Sequence, residues 1–385
     1  MNRKRGTTHN KIRNCPVCGS YDSINLFEQK FAEIDEISFL NGYNVVSCNT
    51  CGFAFASNIP EQECFDEYYI NSNKYEHEIE QPDVMTGKYD YILKEITQHI
   101  YDKSLSIVDI GCAKSEILRL LQNDGFSNLT GIDPSLKNVE YLRGKKINAI
   151  HETVGKIKPI KKYDVVLFLS VLEHIRDLNK TLDIINNFVA DDGLLIINVP
   201  NLENPAPKEL PFQEFSIEHI NYFTSKSLAN LLLQHGFMDI VLRKNIGDLL
   251  GVFKKINKNI AVETNTSMKQ YIEKANAYEE EIYGNLVLYR NEPVVVWGLG
   301  TFTQRLLANN VLKNIVALID SNPKYSGKKY KGIPIISPNL LGKYSEPIIL
   351  SVSSRYIQPI INTIKLELKV DNKIIKIHKD YDFSY

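Results

Sequence analysis

Two cysteine pairs, "CPVC" at 15–18 and "CNTC" at 48–51, carry the clearest chemistry in the chain. Each pair puts two thiolates on one turn, and the glycine after its second cysteine lets the backbone fold so that amides face the sulfurs. Together Cys15, Cys18, Cys48 and Cys51 offer four ligands at about 2.3 Å, a closed tetrahedral site suited to zinc; iron accepts the same donors. With every coordination position filled by protein, the metal is expected to be structural. The competing reading of a CxxC pair is a redox dithiol. Cys64 and Cys112 stand alone and are expected to be small buried residues.

A second group of residues calls for a ligand. In "IVDIGCAKSEIL" Asp109 ends a strand, Gly111 opens a turn, and Ala113 and Ser115 keep side chains small before a helix begins. Such a turn lets a ligand approach both the backbone and the helix N-terminus. The next strand ends in "GIDPS", where the carboxylate of Asp133 is placed to hold both hydroxyls of a ribose. A third group is "EFSIEHINYFT", residues 214–224, with Glu218 beside His219. It reads either as an acid and base or as a corner between a helix and a strand.

The elements that must position these groups are legible as a pattern. A helix at "YDYILKEITQHIY" precedes a buried strand "SIVDI", a turn and a helix "SEILRLLQND". Strands follow at "GID", "INAI" and "YDVVLFL", then helix "LNKTLDIINNFV", strand "GLLIINV", helix "SKSLANLLLQHG" and strand "MDIVLRK". Apolar strands alternating with amphipathic helices predict an α/β fold, a parallel sheet covered on both faces. A polar helical stretch, "TNTSMKQYIEKANAYEEEIYG", leads to a last unit opening with the strand "PVVVWGLG". The 385 residues therefore divide into a four-cysteine module (1–80), a core (81–250), a helical linker (251–289) and a C-terminal unit (290–385);.

Composition narrows the partners. The chain is 43% hydrophobic and 24% charged with a net charge of -1, so no global field favours nucleic acid or an anionic membrane;. Lys11 and Arg13 flank the first cysteine pair, but Glu28, Glu33, Asp35 and Glu36 follow, so no basic stripe accompanies the metal knuckles;. That weighs against a non-enzymatic, nucleic-acid-binding zinc ribbon. The start "MNRKRG" is followed by no apolar run and no stretch is long enough to cross a bilayer, so a cytoplasmic protein is expected;.

The runs "VDIGCAKS", "GIDPS", "YDVVLFLSVLEHI", "DDGLLIINVPN" and "HINYFTSKSLANLLLQHGF" resemble class I S-adenosylmethionine-dependent methyltransferases. An NAD-binding Rossmann unit is the structural alternative, but "LEHI" and "EHINYFT" are typical of methyltransferases. The resemblance implies S-adenosylmethionine as cofactor, with Asp109 and Gly111 by its methionine part and Asp133 on the ribose. It places Glu152 or Thr153 near the adenine, and counts Ala113 and Ser170 among the cofactor positions.

The whole layout resembles the sugar C-methyltransferases, which act on nucleotide-linked keto sugars. The C-terminal run "VVVWGLGTFTQRLL…IVALIDSNPKYSGKKYKGIPIISPNLL", with Gly298, Gly300 and Asp320, is similar to that family's last domain. Those residues also read as a free-standing NAD site, although the corresponding family unit is not a known NAD dehydrogenase. The resemblance implies C-methylation through an enolate of a nucleotide-diphosphate sugar, with a base to remove a proton. It implies His219 as that base, Glu218 orienting it or contacting the sugar, and His174 and an N-terminal tyrosine (Tyr68 or Tyr69) beside the acceptor. Ser216 stands where the family has tyrosine, so restoring tyrosine there is expected to be harmless. O- or N-methylation of a polysaccharide sugar, a natural-product sugar or another small molecule is the alternative.

Overall fold

A computed structural model of the chain describes residues 12–32, 40–71, 86–159, 161–203, 210–245, 247–256 and 268–377. The basic start, Glu33, Asp35 and Glu36, the end of the tyrosine-rich run after Asn71, and residues 257–267 of the expected linker lie outside the described residues. The chain divides into two compact units. One comprises Met1–Leu26, Val45–Pro205 and Ile220–Met268, the other Phe27–Asn44, Ala206–His219 and Lys269–Tyr385. The sequence pattern predicts 81–250 as one piece, whereas Ala206–His219 groups with the second unit.

A small sheet of order β1-β2-β3-β9 is made by β1 (Ser23–Lys30), β2 (Gly42–Cys48), β3 (Ala54–Ser57) and the later β9 (Asn221–Tyr222). In the first unit β3 pairs antiparallel with β9, Ala54 opposite Tyr222 and Phe55 opposite Asn221. Helices α1 (Gln62–Asn71) and α2 (Thr86–Thr97) lead into the main sheet. That sheet is built by β4 (Ile107–Ile110), α3 (Glu116–Asn123), β5 (Leu129–Asp133), α4 (Leu136–Gly144), β6 (Asn148–His151), β7 (Tyr163–Leu169), α5 (Leu178–Phe188) and β8 (Val189–Pro200). After β9 it is completed by α6 (Ser225–Gln234), β10 (Phe237–Lys244) and β11 (Asp248–Lys255).

The strand order is β10-β11-β8-β7-β4-β5-β6. Strands β6, β5, β4, β7 and β8 run parallel. They are apolar on both faces because both are covered: Val166 and Phe168 point into one buried cluster, Val165 and Leu167 into the other;. The sheet is not wholly parallel, however. β11 runs antiparallel to both β8 and β10 and closes that edge as a hairpin. Its sequence, "DLLGVFKK", reads poorly as a strand because Gly251 interrupts it;. The fold needs that gap, since a Cβ at Gly251 would stand 2.3 Å from the Phe253 ring.

The second unit contains α7 (Met268–Leu286), β12 (Val294–Trp297), α8 (Thr301–Ala308), β13 (Ile315–Ile319), β14 (Lys329–Tyr330), β15 (Ile333–Ile336), β16 (Ile348–Leu350), α9 (Ser354–Asn362) and β17 (Ile374–Lys376). Its sheet order is β14-β15-β13-β12-β16-β17, all parallel except β14. Asp320, after β13, turns its carboxylate onto the glycine turn and accepts from Leu299 N at 2.9 Å and Asn322 N at 2.8 Å. Among the described residues, no helix is long and apolar enough to cross a membrane.

Candidate active site

The strand order of the first unit reverses between β4 and β7, and ligands of open α/β sheets settle outside the carboxyl ends of the strands at such a point;. Three residues that are not glycine take left-handed backbone there: Ala113 (φ 47) and Ser115 (φ 35) after β4, and Ser170 (φ 54) after β7. Left-handed backbone is costly for side chains with a Cβ and concentrates at functional sites. Gly111 has φ 75, and a Cβ there would lie 2.6 Å from Val171 Cγ2, so the turn admits only glycine.

Two carboxylates close this turn. Asp109 is 4% exposed and accepts from Ser115 Oγ at 2.6 Å. Burial pushes its carboxyl up to about 7, against the Ser115 bond and helped by the nearby charge of Asp133. Asp133 is 3% exposed and accepts from Ala113 N (2.7 Å), Ser135 N (2.9 Å) and Asn138 Nδ2 (3.0 Å). Burial raises its carboxyl too. Glu152 N donates to Asp133 O at 3.1 Å, while the Glu152 carboxylate accepts from Thr153 N at 2.9 Å. Asn138 Oδ1 and Thr153 Oγ1 are buried with no hydrogen-bond partner among the described residues. Buried polar atoms rarely go unpaired. Two carboxylates, two unpaired oxygens and an open turn suit a cationic sulfonium carried on a nucleoside, so the residues fit S-adenosylmethionine. Ser170, at the end of β7, is exposed and donates to Asn198 Oδ1 at 3.3 Å.

The raised carboxyl of Asp109 has a defined sign in stability. An acid that holds its proton more tightly when folded stabilises the fold fully below its ordinary value near 3.8 and loses that contribution as pH rises through about 7;. The ligand-free protein is therefore expected to melt at a lower temperature at pH 8 than at pH 6, and Asp109→Asn to remove part of that slope. Melting curves of both forms across pH 5–8 measure it; parallel curves would show that Asp109 carries no such charge.

His174 lies in a short turn after β7, Leu172–His174, with its Nδ1 3.0 Å from the Tyr69 hydroxyl of α1. Tyr69 is thus the N-terminal tyrosine that meets His174. The Glu173 carboxylate lies 3.8 Å from His174 Nε2.

The "EFSIEH" segment belongs to the second unit, where Phe212 and Phe215 pack on Phe27 and Tyr271. His219 Nδ1 faces Glu214 Oε2 at 3.1 Å, a carboxylate partner on the imidazole beside the expected Glu218. Glu218 is buried. Ser216 Oγ accepts from Glu218 N (3.2 Å) and His219 N (3.0 Å), while Tyr43 OH donates to Ser216 O at 2.7 Å. The serine is the cap of the turn that presents Glu218 and His219. Tyrosine cannot bond back to these amides from the same place, which corrects the expectation that restoring it is harmless.

The four cysteines do come together. Their sulfurs all lie within 4.8 Å of one another, with Cys15–Cys51 and Cys18–Cys48 at 3.5 Å. Ligands at about 2.3 Å around a tetrahedral ion stand about 3.8 Å apart, so the donor set fits zinc. Backbone bonds Gly19 N to Cys15 O and Gly52 N to Cys48 O, both 2.8 Å, close the two knuckles. Hydrogen bonding with Cys51 and then burial push the Cys15 thiol up, so a cation is what would favour its thiolate;. Cys15 and Cys48 share a buried cluster with Phe53, Phe55, Phe168 and Phe223, so the knot is part of the core of the first unit. Cys112 is buried as expected; Cys64 is half-buried.

Two stretches of the chain match known families. Residues 68–241 match the methyltransferase-domain family, and residues 290–376 match the family described as C2185-like, N-terminal. The chain is 35% identical over 121 residues to the ubiquinone biosynthesis O-methyltransferase of Rickettsia canadensis, covering 30% of this chain and 51% of that protein. It is 33% identical over 126 residues to the Rickettsia felis protein of the same name, covering 31% and 51%. The chain thus spans about half the length of the curated relatives it matches. A solved Burkholderia thailandensis 1,6-didemethyltoxoflavin-N1-methyltransferase, with bound 1,6-didemethyltoxoflavin and S-adenosylhomocysteine, aligns at 14% identity and TM-score 0.39, covering 53% of this chain and 96% of that one. Residues 68–241, which build most of the seven-stranded sheet, are thus a methyltransferase domain.

Proposed function

We propose that this protein transfers a methyl group from S-adenosylmethionine to a small-molecule acceptor, and that the acceptor is a nucleotide-linked sugar methylated at carbon. The observation that carries the methyltransferase reading is the pair of buried carboxylates, Asp109 and Asp133, closing a strained turn at the switch point of the matched domain. The sugar reading is supported by the company this domain keeps: a four-cysteine cluster in its core and a second Rossmann-like unit in the same chain.

When bound, S-adenosylmethionine supplies an electrophilic methyl group on a sulfonium. Asp133 would hold the ribose, Asn138 and Thr153 the groups beyond it, and Asp109 the positive methionine end. Tyr69 and His174, which meet at 3.0 Å, would orient the acceptor. The base expected from the sequence is His219, whose ring faces Glu214. A second reading, O-methylation of another small molecule such as a ubiquinone precursor, is favoured by the names of the Rickettsia relatives.

Labelled methyl transfer offered separately to nucleotide-sugar pools and to ubiquinone precursors decides the acceptor. Label in a nucleotide sugar supports the first reading, and label only in a ubiquinone precursor supports the second. Cofactor binding is tested independently by calorimetry. Asp133→Ala is expected to weaken S-adenosylmethionine by on the order of 1.5–3 kcal/mol, about 10- to 100-fold, through loss of charge-assisted hydrogen bonds. Asp133→Asn keeps an acceptor for the amides of Ala113 and Ser135 and separates ligand binding from a loosened turn. Unchanged affinity in both variants would remove Asp133 from the cofactor site.

A further inference from the structure

Arg13 stands two residues before the first cysteine of the cluster and is only 5% exposed. A guanidinium is almost never buried so deeply unless its donors are used. Here its two terminal nitrogens are spent on the chain around His174. NH1 donates to Ile220 O at 3.2 Å; NH2 donates to Ile175 O at 3.3 Å, to Arg176 O and to Asn221 Oδ1 at 2.9 Å. Asn221 extends the grip, its Nδ2 donating to Leu172 O at 2.9 Å and Ile175 O at 2.6 Å. The amide of Ile220 donates to Glu173 O at 2.9 Å. Carbonyls of residues 172, 173, 175 and 176 are therefore all held from the side of Arg13 and β9.

The same turn is tied on another side to the segment that starts α1. Arg176 N donates to Gln62 Oε1 and Arg176 Nε to Pro60 O, both at 2.9 Å, and NH2 pairs with Glu61 at 3.0 Å. α1 carries Tyr69, whose hydroxyl meets His174. A single 3-10 turn satisfies few of its own carbonyls, here those of Val171 and Leu172, so its shape depends largely on these donors;. The planar fork of arginine can reach several carbonyls at once, which a lysine ammonium does not do with the same geometry.

The geometry points to Arg13 as a positioning residue through which the four-cysteine site fixes the Tyr69–His174 pair. The short tether to Cys15 makes the placement of Arg13 depend on an ordered cysteine knot, and Arg13 in turn sets the carbonyls on both sides of His174. Metal in the knot thus has a consequence at the acceptor side of the domain. The inference rests on the methyltransferase reading only for the purpose of the pair; the coupling is a property of the fold.

Nuclear magnetic resonance of the full chain with labelled histidine rings tests it. The chain has eight histidines, and the resonance lost in His174→Gln identifies the one that matters. Tyr69→Phe is expected to move the His174 ring-nitrogen resonance, and Arg13→Ala to move it as well. The double variant is expected to move it no further than the larger single change, because both substitutions break one arrangement. Zinc removal by chelation is expected to reproduce the Arg13→Ala position, and Arg13→Lys to restore part of the wild-type one. With an acceptor in hand, Arg13→Lys is expected to lower kcat by about 10- to 100-fold, as a small misplacement of catalytic groups does, with S-adenosylmethionine affinity unchanged. Should Arg13→Ala not fold, seen as collapse of all eight resonances, Arg13→Lys and chelation decide alone. A His174 resonance unmoved by Arg13→Lys and by chelation, or fully additive shifts, overturns the coupling. These readouts need no turnover, so failure to find a methyl acceptor would count against the proposed function and leave this inference standing.

Discussion

Replacing His219 with asparagine is expected to lower turnover on a keto-sugar acceptor by about 10²–10⁴-fold, the range contributed by a positioned general base. Carbon beside a ketone becomes nucleophilic only when a proton is taken from it. His219 has the arrangement such a base needs: one ring nitrogen is engaged by Glu214 at 3.1 Å, and the turn beneath it is fixed by Ser216 Oγ. A carboxylate on one nitrogen sets the tautomer, so that the other can accept a proton. The variant should keep its affinity for S-adenosylmethionine, because Asp109 and Asp133 are held by Ser115, Ala113, Ser135 and Asn138. Exchange of solvent deuterium into the acceptor carbon should disappear with turnover. Glu214→Gln should show a smaller loss in the same direction, with a changed pH–rate profile. A histidine that merely closes the loop gives the opposite pattern, a lower melting temperature with turnover nearly intact in the folded fraction. If His219→Asn stays within a few-fold of the wild-type rate, the base is elsewhere and His174 is next to be tested.

The parts of this arrangement that can be read directly from the chain are those with a local signal. "SIVDI", "YDVVLFL" and "GLLIINV" are continuous apolar runs because both faces of β4, β7 and β8 are covered, whereas a strand with one wet face would alternate apolar and polar residues;. The cysteine pairs are legible for a different reason: a ligand spacing is a distance constraint written in sequence. β11 is not legible. Gly251 breaks its pattern, and the strand's membership depends on pairing with β8 some fifty residues earlier in the chain.

The site divides in the same way. Asp109, Gly111 and Asp133 sit at strand ends, where sequence position and spatial position coincide. Glu214 does not show itself as the partner of His219, because five residues across a serine-capped turn match neither a helical nor a strand period;. In sequence Arg13 reads as a surface charge beside a metal knuckle. Its partners are mostly backbone carbonyls at separations of 162 to 207 residues, and carbonyls leave no mark in a sequence. The grouping of Ala206–His219 with the second unit is hidden likewise, since it rests on Phe212 and Phe215 finding Phe27 and Tyr271.

The purified protein is expected to carry about one zinc per chain, and Cys48→Ser to lose most of it along with much of the stability of the first unit. Zinc held by four thiolates contributes on the order of 10 kcal/mol of apparent binding free energy near neutral pH, and in small zinc modules that energy is folding energy. Here the knot is built into a larger core. Cys15 and Cys48 pack with Phe53, Phe55 and Phe223, β3 leaves the second knuckle to pair with β9, and Asn179 of α5 donates to Val17 O at 3.1 Å. Loosening the knot therefore reaches β9 and α5 and is not confined to a dispensable appendage. Metal analysis of fresh protein gives the stoichiometry, and hydrogen exchange gives the reach. The amides of Cys15, Gly19, Cys48 and Gly52, all bonded within the knuckles, should exchange faster in Cys48→Ser, followed by Ala56, whose amide donates to Ile220 O at 2.9 Å. A redox dithiol predicts otherwise: no bound metal, a disulfide that reductant opens, and little change in exchange at Ala56 when Cys48 becomes serine. Fresh protein containing neither zinc nor iron would refute the metal site, and with it the reason these four sulfurs are held so close.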